Sequence, residues 1–217
     1  MKTCREMMKY PRRVLVIFVV LWLLSVCVGM GVMVSYSLSP GASASPPIEW
    51  PTDSQIERTP GRATLLMLAH PHCPCTRASI GELALVMAHC QGRVTATVLF
   101  VKPKGFSDDW EKTDLWNSAA AIPGVKVVSD DESIETFRFH AVTSGQTVLY
   151  DAEGRLLFSG GITGARGHSG DNAGRSAIVS LLTRGEADRS STFVFGCSLN
   201  GKSSNQHEGV EACSQEK

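Results

Sequence analysis

Apolar runs of different lengths alternate with polar, glycine-bearing breaks along this chain, and the length of each run limits what it can form. Val14 to Val34 is an uncharged apolar run of 21 residues. At about 1.5 Å per helical residue it spans the roughly 30 Å hydrocarbon core of a bilayer, so it predicts a membrane helix. Residues 35–62 follow, rich in Ser, Pro, Gly and Ala without a helical or alternating period, and are expected to form a flexible tether. Thr64 to Ala69 is a short continuous apolar run that reads as a buried parallel strand, and Ile80, Leu83, Ala84 and Met87 then recur at helical spacing. Val94 to Val101 predicts a second strand. A helix is expected from about Ser107, capped by that hydroxyl with Asp108 and Asp109 in its first turn, and ending before Pro123. Val125 to Val128 predicts a third strand, and Asp130 or Asp131 opens a helix with Ile134 and Phe137 on one face. Thr147 to Tyr150 and Leu156 to Ser159 flank the turn Asp151-Ala152-Glu153-Gly154 and read as a hairpin. After a glycine-rich loop, Ala177, Ile178, Leu181 and Leu182 mark a last helix. The expected order is βαβαβα followed by ββα, an α/β domain with a central mixed sheet over residues 63–187, and a Ser- and Gly-rich tail carrying two cysteines over 188–217.

Charge sets the orientation of the anchor. Lys2, Arg5, Lys9, Arg12 and Arg13 precede the apolar run against Glu6 alone, so residues 1–13 are expected to stay in the cytoplasm and the chain beyond residue 34 to be exported. The expectation is a single-pass membrane protein with its C-terminal domain outside the cytoplasm. A cleaved leader, with Ala42 and Ala44 as small residues at the cut, is the competing reading, but the run is longer than the roughly 7 to 15 residues of a usual signal core. The 217-residue chain has a formal net charge of +0, which offers no electrostatic case for nucleic acid as a partner. Seven cysteines are present. Cys4 and Cys27 lie before or within the anchor, which leaves Cys73, Cys75, Cys90, Cys197 and Cys213 where disulfides persist. An odd number means that one thiol stays free, pairs with another chain or cycles through transient bonds.

The densest chemistry is His70-Pro71-His72-Cys73-Pro74-Cys75-Thr76-Arg77, between the first strand and first helix of the domain. Cys73 is expected at the helix start, where free backbone N–H groups and the positive end of the helix dipole favour a thiolate, with His72 or Arg77 adding to the effect. Pro71 and Pro74 restrict the backbone there. A disulfide closing a single-residue loop would be a poor staple by the loop-entropy argument, so the Cys73/Cys75 pair reads as chemistry.

That order of elements, with the cysteines after the first parallel strand, resembles the membrane-tethered thioredoxin-like proteins of bacterial exported thiol chemistry. More narrowly, residues 72–79, Phe158 to Thr163 and Arg166-Gly167-His168 resemble a group labelled RedB. The resemblance covers somewhat over half the chain and implies a bacterial cytoplasmic membrane, with the C-terminal domain in the periplasm or exterior. It implies a thioredoxin-like fold and thiol–disulfide oxidoreductase activity on protein or small-molecule thiols and disulfides, with Cys73 as nucleophile and Cys75 as resolving partner. It implies no organic cofactor, and a membrane redox donor if the protein works as a reductase. Two departures stand out. Only Pro74 separates the cysteines, so Thr76 takes the usual second-cysteine position, and Ser144-Gly145-Gln146 stands before the hairpin strand where thioredoxins carry a cis-proline facing the cysteines.

Other readings of the same residues remain open. His70, His72, Cys73 and Cys75 offer imidazole and thiolate ligands suited to copper or zinc, as in tethered thioredoxin-like copper chaperones, although those space their cysteines three apart and carry a histidine where this chain has Thr143-Ser144. A third reading is a non-catalytic interaction domain of the same fold. The loop from Gly161 to Asn172 emerges on the cysteine edge, so Arg166 or His168 is a candidate to tune the thiolate or bind an anionic substrate group, and Asp171 or Asn172 to cap the last helix. Cys90 is expected as a small buried hydrophobe. Cys197 either pairs with Cys213 or docks against the domain beside Phe193, Val194 and Phe195.

Overall fold

In a computed structural model of the chain, residues 12–199 are described. Cys4, Cys213 and most of the expected cytoplasmic segment lie outside them. The chain divides into two compact units, Met1–Ser39 and Pro40–Lys217. The first contains α1 (Arg12–Leu38), apolar on every side over Val14–Leu38. It runs four residues beyond the expected end of the apolar span, and is long and apolar enough to cross a membrane.

The second unit is a thioredoxin-like α/β domain. Its sheet has the order β3-β2-β1-β4-β5. The strands β1 (Ala63–Ala69), β2 (Val94–Lys102) and β3 (Val125–Asp131) are parallel, and β4 (Gln146–Tyr150) and β5 (Leu156–Gly160) are antiparallel to their neighbours. Both faces are covered, which is why β1 reads as an unbroken apolar run. Leu65, Met67, Val98, Phe100 and Leu149 point toward α2 (Pro74–His89), α3 (Asp114–Ala120) and α5 (Ala173–Arg184), where they meet Leu83, Leu115 and Ile178. Leu66, Leu68, Leu99, Val148 and Tyr150 point to the other face, where Phe139 follows α4 (Ile134–Arg138) and Trp50 and Ile56 complete the layer.

Three expectations are corrected. The helix foreseen from Ser107 begins at Asp114, and its cap is Thr113, whose hydroxyl accepts from Leu115 N–H at 3.3 Å. Residues 107–112 instead make successive turns, with Trp110 N–H on Ser107 O and Lys112 N–H on Asp109 O. Ser and Asp favour turns over the helix interior. In α4 the Asp130 carboxylate does take the N–H groups of Glu135 and Thr136, both at 2.8 Å. Ile134 and Phe137, however, are 44% and 59% exposed, and Phe139 makes the core contact.

The third correction concerns the tether. Residues 40–56 lie along the domain rather than hanging free. Trp50 N–H donates to Gly154 O at 2.7 Å, and Ile48 O accepts from Leu156 N–H at 2.8 Å. The Trp50 ring packs edge-on against Phe139 and Tyr150 at 5.0 and 5.1 Å. A segment with no period can still dock through backbone hydrogen bonds and single aromatic anchors. The tail follows one of its two expected courses, docking against the domain. Residues 188–199 return across the domain, with Ser159 N–H on Ser190 O at 2.9 Å and Thr143 bridged antiparallel to Ser198.

Candidate functional site

The sulfur site is built where β1 turns into α2. Cys73 caps α2 in an extended conformation, with Pro74 as the first helical residue, a place where the missing proline N–H costs no helical bond. The turn is closed by Cys73 N–H on His70 O at 3.2 Å and Thr76 N–H on Cys73 O at 3.0 Å. Behind it lies a hydroxyl network. Ser144 Oγ accepts from His70 N–H at 2.8 Å and lies 2.8 Å from the Thr76 hydroxyl, which also approaches His70 O at 3.5 Å. Ser144 is held in turn by Gly145, whose N–H donates to Leu68 O at 2.8 Å. Gly145 has φ +88°, and a Cβ there would come within 2.8 Å of Ser79 Oγ, so glycine fits this close approach to α2.

The tail completes the site. Ser144 N–H donates to Cys197 O at 2.8 Å and Leu199 N–H to Val142 O at 2.9 Å, so residues 197–199 pair with the segment leading into β4. This brings the Cys197 N–H to 3.4 Å from the Cys73 sulfur. Cys73 is 1% exposed, while Cys75 and Cys197 are partly buried.

The three thiols are driven apart in acidity. Burial pushes the Cys73 thiol up, but hydrogen bonds from the Cys197 side chain and N–H, the Thr76 hydroxyl and the Cys75 N–H outweigh it, and the net direction is down. Cys75 is raised, by burial first and then by the negative charge on Cys73, against a lowering influence from Arg166. Cys197 is pushed up to about 12 by burial, by its hydrogen bond to Cys73 and by the charge of Cys73. One sulfur collects the anion-stabilising contacts and its two neighbours remain thiols.

The other expected site residues divide. Arg166 belongs to the site: its Nη1 donates to Gly196 O at 2.7 Å, and its charge acts on Cys75 and Cys197. His168 is exposed on the same loop, its N–H on Ala165 O at 3.3 Å. Arg77 is exposed and paired with Asp114, so its cation serves an ion pair between helices rather than the thiolate. His72 and His70 engage Trp110, with ring centroids 4.8 and 5.5 Å from the indole, and His72 Nε2 is 3.1 Å from Trp110 O. His72 N–H donates to His70 Nδ1 at 3.1 Å. Burial and then the charge of His72 lower the His70 pKa. Among the described residues, no group of three or more His, Cys, Asp or Glu side chains is arranged to hold a metal ion.

The loop that carries Arg166 is fixed from below by buried Glu82 of α2. Its carboxylate accepts from Gly170 N–H at 2.8 Å and Asn172 Nδ2 at 3.2 Å, and pairs with Arg175. Asn172 is the cap of α5, accepting from Arg175 N–H at 2.8 Å. Cys90 is buried among apolar residues, as expected.

Neither a protein-family model nor a curated protein matches this chain. Among solved structures it is similar to an uncharacterized conserved protein from Geobacillus kaustophilus, at 16% identity over 77% of this chain and 94% of that one, TM-score 0.52. It is also similar to a hypothetical protein from Sinorhizobium meliloti 1021, at 16% identity over 75% and 94%, TM-score 0.53. At this identity the likeness is one of fold alone.

Proposed function

We propose that this chain is a thiol–disulfide oxidoreductase of the RedB-like kind, tethered by α1 to the outer face of a bacterial cytoplasmic membrane, with Cys73 as its nucleophile. The observation that carries this reading is the separation of the thiols. Cys73 sits at a helix start with hydrogen bonds on its sulfur and a lowered pKa, while Cys75 and Cys197 beside it are raised. A low-pKa thiol next to protonated ones is the arrangement that disulfide exchange uses, because the thiolate attacks and a second thiol resolves.

The Cys73 thiolate would attack one sulfur of a partner disulfide, forming a mixed disulfide and releasing the other sulfur as a thiolate. A second protein thiol would then attack the Cys73 sulfur and release the first partner thiol. Run backwards, the cycle oxidises a dithiol. Arg166, beside the cluster, would support negative charge that develops on the neighbouring sulfurs. As a reductase the protein would draw its electrons from a membrane donor. The copper or zinc reading is less well supported, because His70 and His72 are occupied with Trp110.

The test uses oxidised glutathione as probe on the reduced full-length protein in detergent. The wild type should release glutathione and lose two thiols, and Cys73→Ser should do neither. Equal release by both proteins would overturn the assignment.

A further inference from the structure

We propose that Cys197, rather than Cys75, is the thiol that resolves the mixed disulfide on Cys73, so that the oxidised protein carries a Cys73–Cys197 bond joining the tail to the active site. This rests on the oxidoreductase reading and adds a residue to it. The supporting geometry comes from two sources. The sheet pairing of residues 197–199 with Val142 and Ser144 fixes the backbone of Cys197 across from α2. Its N–H then points at the Cys73 sulfur, 3.4 Å away.

Cys75 also reaches Cys73, but it stands within the first turn of α2, two positions from the cap and beyond Pro74. Cys73 is the extended cap and Cys75 the second helical residue, so a bond between them closes a tight ring over Pro74 and strains the start of α2. Cys197 approaches from a separate segment and needs no such change in α2.

The chemistry balances as two exchanges. Cys73 thiolate attacks a disulfide RS–SR′, forming Cys73–SR and releasing R′S⁻, which takes a proton from solvent. The Cys197 sulfur then attacks the Cys73 sulfur and transfers its proton to the departing RS⁻. One external disulfide is reduced to two thiols, and two protein thiols are oxidised to one disulfide. The order of events is built in. While Cys73 is a thiolate, its hydrogen bond and charge help keep Cys197 protonated. Once Cys73 is capped by RS, both influences end, whereas the lowering influence of Arg166 remains. Because Cys73 is 1% exposed, the Gly196–Leu199 segment that contacts it must lift for the first attack and return for the second.

Trypsin places Cys73 and Cys75 on one peptide, residues 63–77, and Cys197 on another, residues 190–202. Reduced full-length protein is treated with oxidised glutathione, acid-quenched, alkylated and digested. The wild type and Cys75→Ser should both give the two peptides joined. Cys197→Ser should hold one glutathione on Cys73 and release it on the order of 100-fold more slowly, reflecting loss of a positioned intramolecular thiol. A second variant leaves every thiol in place. A Cβ on Gly196 would collide with the Ser144 carbonyl oxygen, so Gly196→Ala should undock the segment and also accumulate the glutathione adduct. If Cys197→Ser instead releases glutathione at the wild-type rate with an internal disulfide in peptide 63–77, and Cys75→Ser traps the adduct, Cys75 is the resolving thiol and the proposal fails. If wild-type protein does not react with glutathione disulfide at all, the oxidoreductase reading itself fails.

Discussion

Thr76 stands where a thioredoxin would carry its second cysteine, and the structure gives it a different task. It is 1% exposed, its hydroxyl is 2.8 Å from Ser144 Oγ, and its hydrogen bond to the Cys73 sulfur lowers the Cys73 pKa. Thr76→Val replaces that hydroxyl with a methyl of similar size, leaving the burial of Cys73, which pushes its pKa up, in place. A hydrogen bond to a charged group contributes about 1.5–3 kcal/mol. Losing it raises the Cys73 pKa, and at about 1.4 kcal/mol per factor of ten that energy is about 10- to 100-fold in the thiol–thiolate equilibrium. Below both midpoints the thiolate fraction falls by about 10- to 100-fold. A more basic thiolate is a better nucleophile, with a Brønsted slope of about 0.5, so the net alkylation rate falls by about 3- to 10-fold. Ser144 Oγ keeps the bond from His70 N–H and loses only the Thr76 hydroxyl, at a stability cost of about 0.5–1.5 kcal/mol. The assay is iodoacetamide alkylation of full-length protein across pH, with modification assigned to Cys73 by peptide fragmentation. Thr76→Ser keeps the hydroxyl and should restore the wild-type midpoint. A midpoint that stays put in Thr76→Val, or moves equally in Thr76→Ser, would refute the hydroxyl's role.

Arg166→Ala should raise the pKa values of Cys75 and Cys197 further, because its charge lowers both, while His168→Ala should leave them unchanged; pH-dependent alkylation of each cysteine separates the two. Glu82→Ala removes a buried carboxylate from Arg175, Gly170 and Asn172, and should destabilise the domain by about 3–5 kcal/mol in denaturant unfolding. Trp50→Ala should cost about 2–3 kcal/mol, less than a fully buried tryptophan; no loss would mean that residues 40–56 act as a free tether. A reporter fused after Lys217 should be active only if it is a type that works outside the cytoplasm, and the full-length protein should sediment with membranes.

The strands, the hairpin and the site of Cys73 were legible because they depend on local pattern: apolar runs of strand length, a turn with glycine at positive φ, and a cysteine followed by proline at a helix start. The start of α3 was missed because Ser107, Asp108 and Asp109 look like a cap but make turns, and the true cap, Thr113, is tied to Pro71 O through a contact 42 residues away. The docking of residues 40–56 leaves no sequence signal for a related reason, and that of 188–199 is only one of two courses the sequence leaves open. Both segments have turn-like composition and are held by backbone bonds to distant residues, which leave no periodic trace. Cys197 was placed in the tail with its partner undecided, since only the pairing with Val142 and Ser144 brings it to Cys73. Its nearest sequence signal is the Phe193-Val194-Phe195 cluster just before it. Arg77 looked suited to support the thiolate by position, but Asp114 claims it.

Cys73 is proposed to anchor a reversible disulfide, and redox titration of the full-length protein in glutathione buffers, counting free thiols at each potential, reads that bond out. A single two-electron transition, changing tenfold in ratio over about 30 mV, is expected in the wild type and is lost in Cys73→Ser. A transition that persists in Cys73→Ser, or its absence from the wild type, would contradict that role for Cys73.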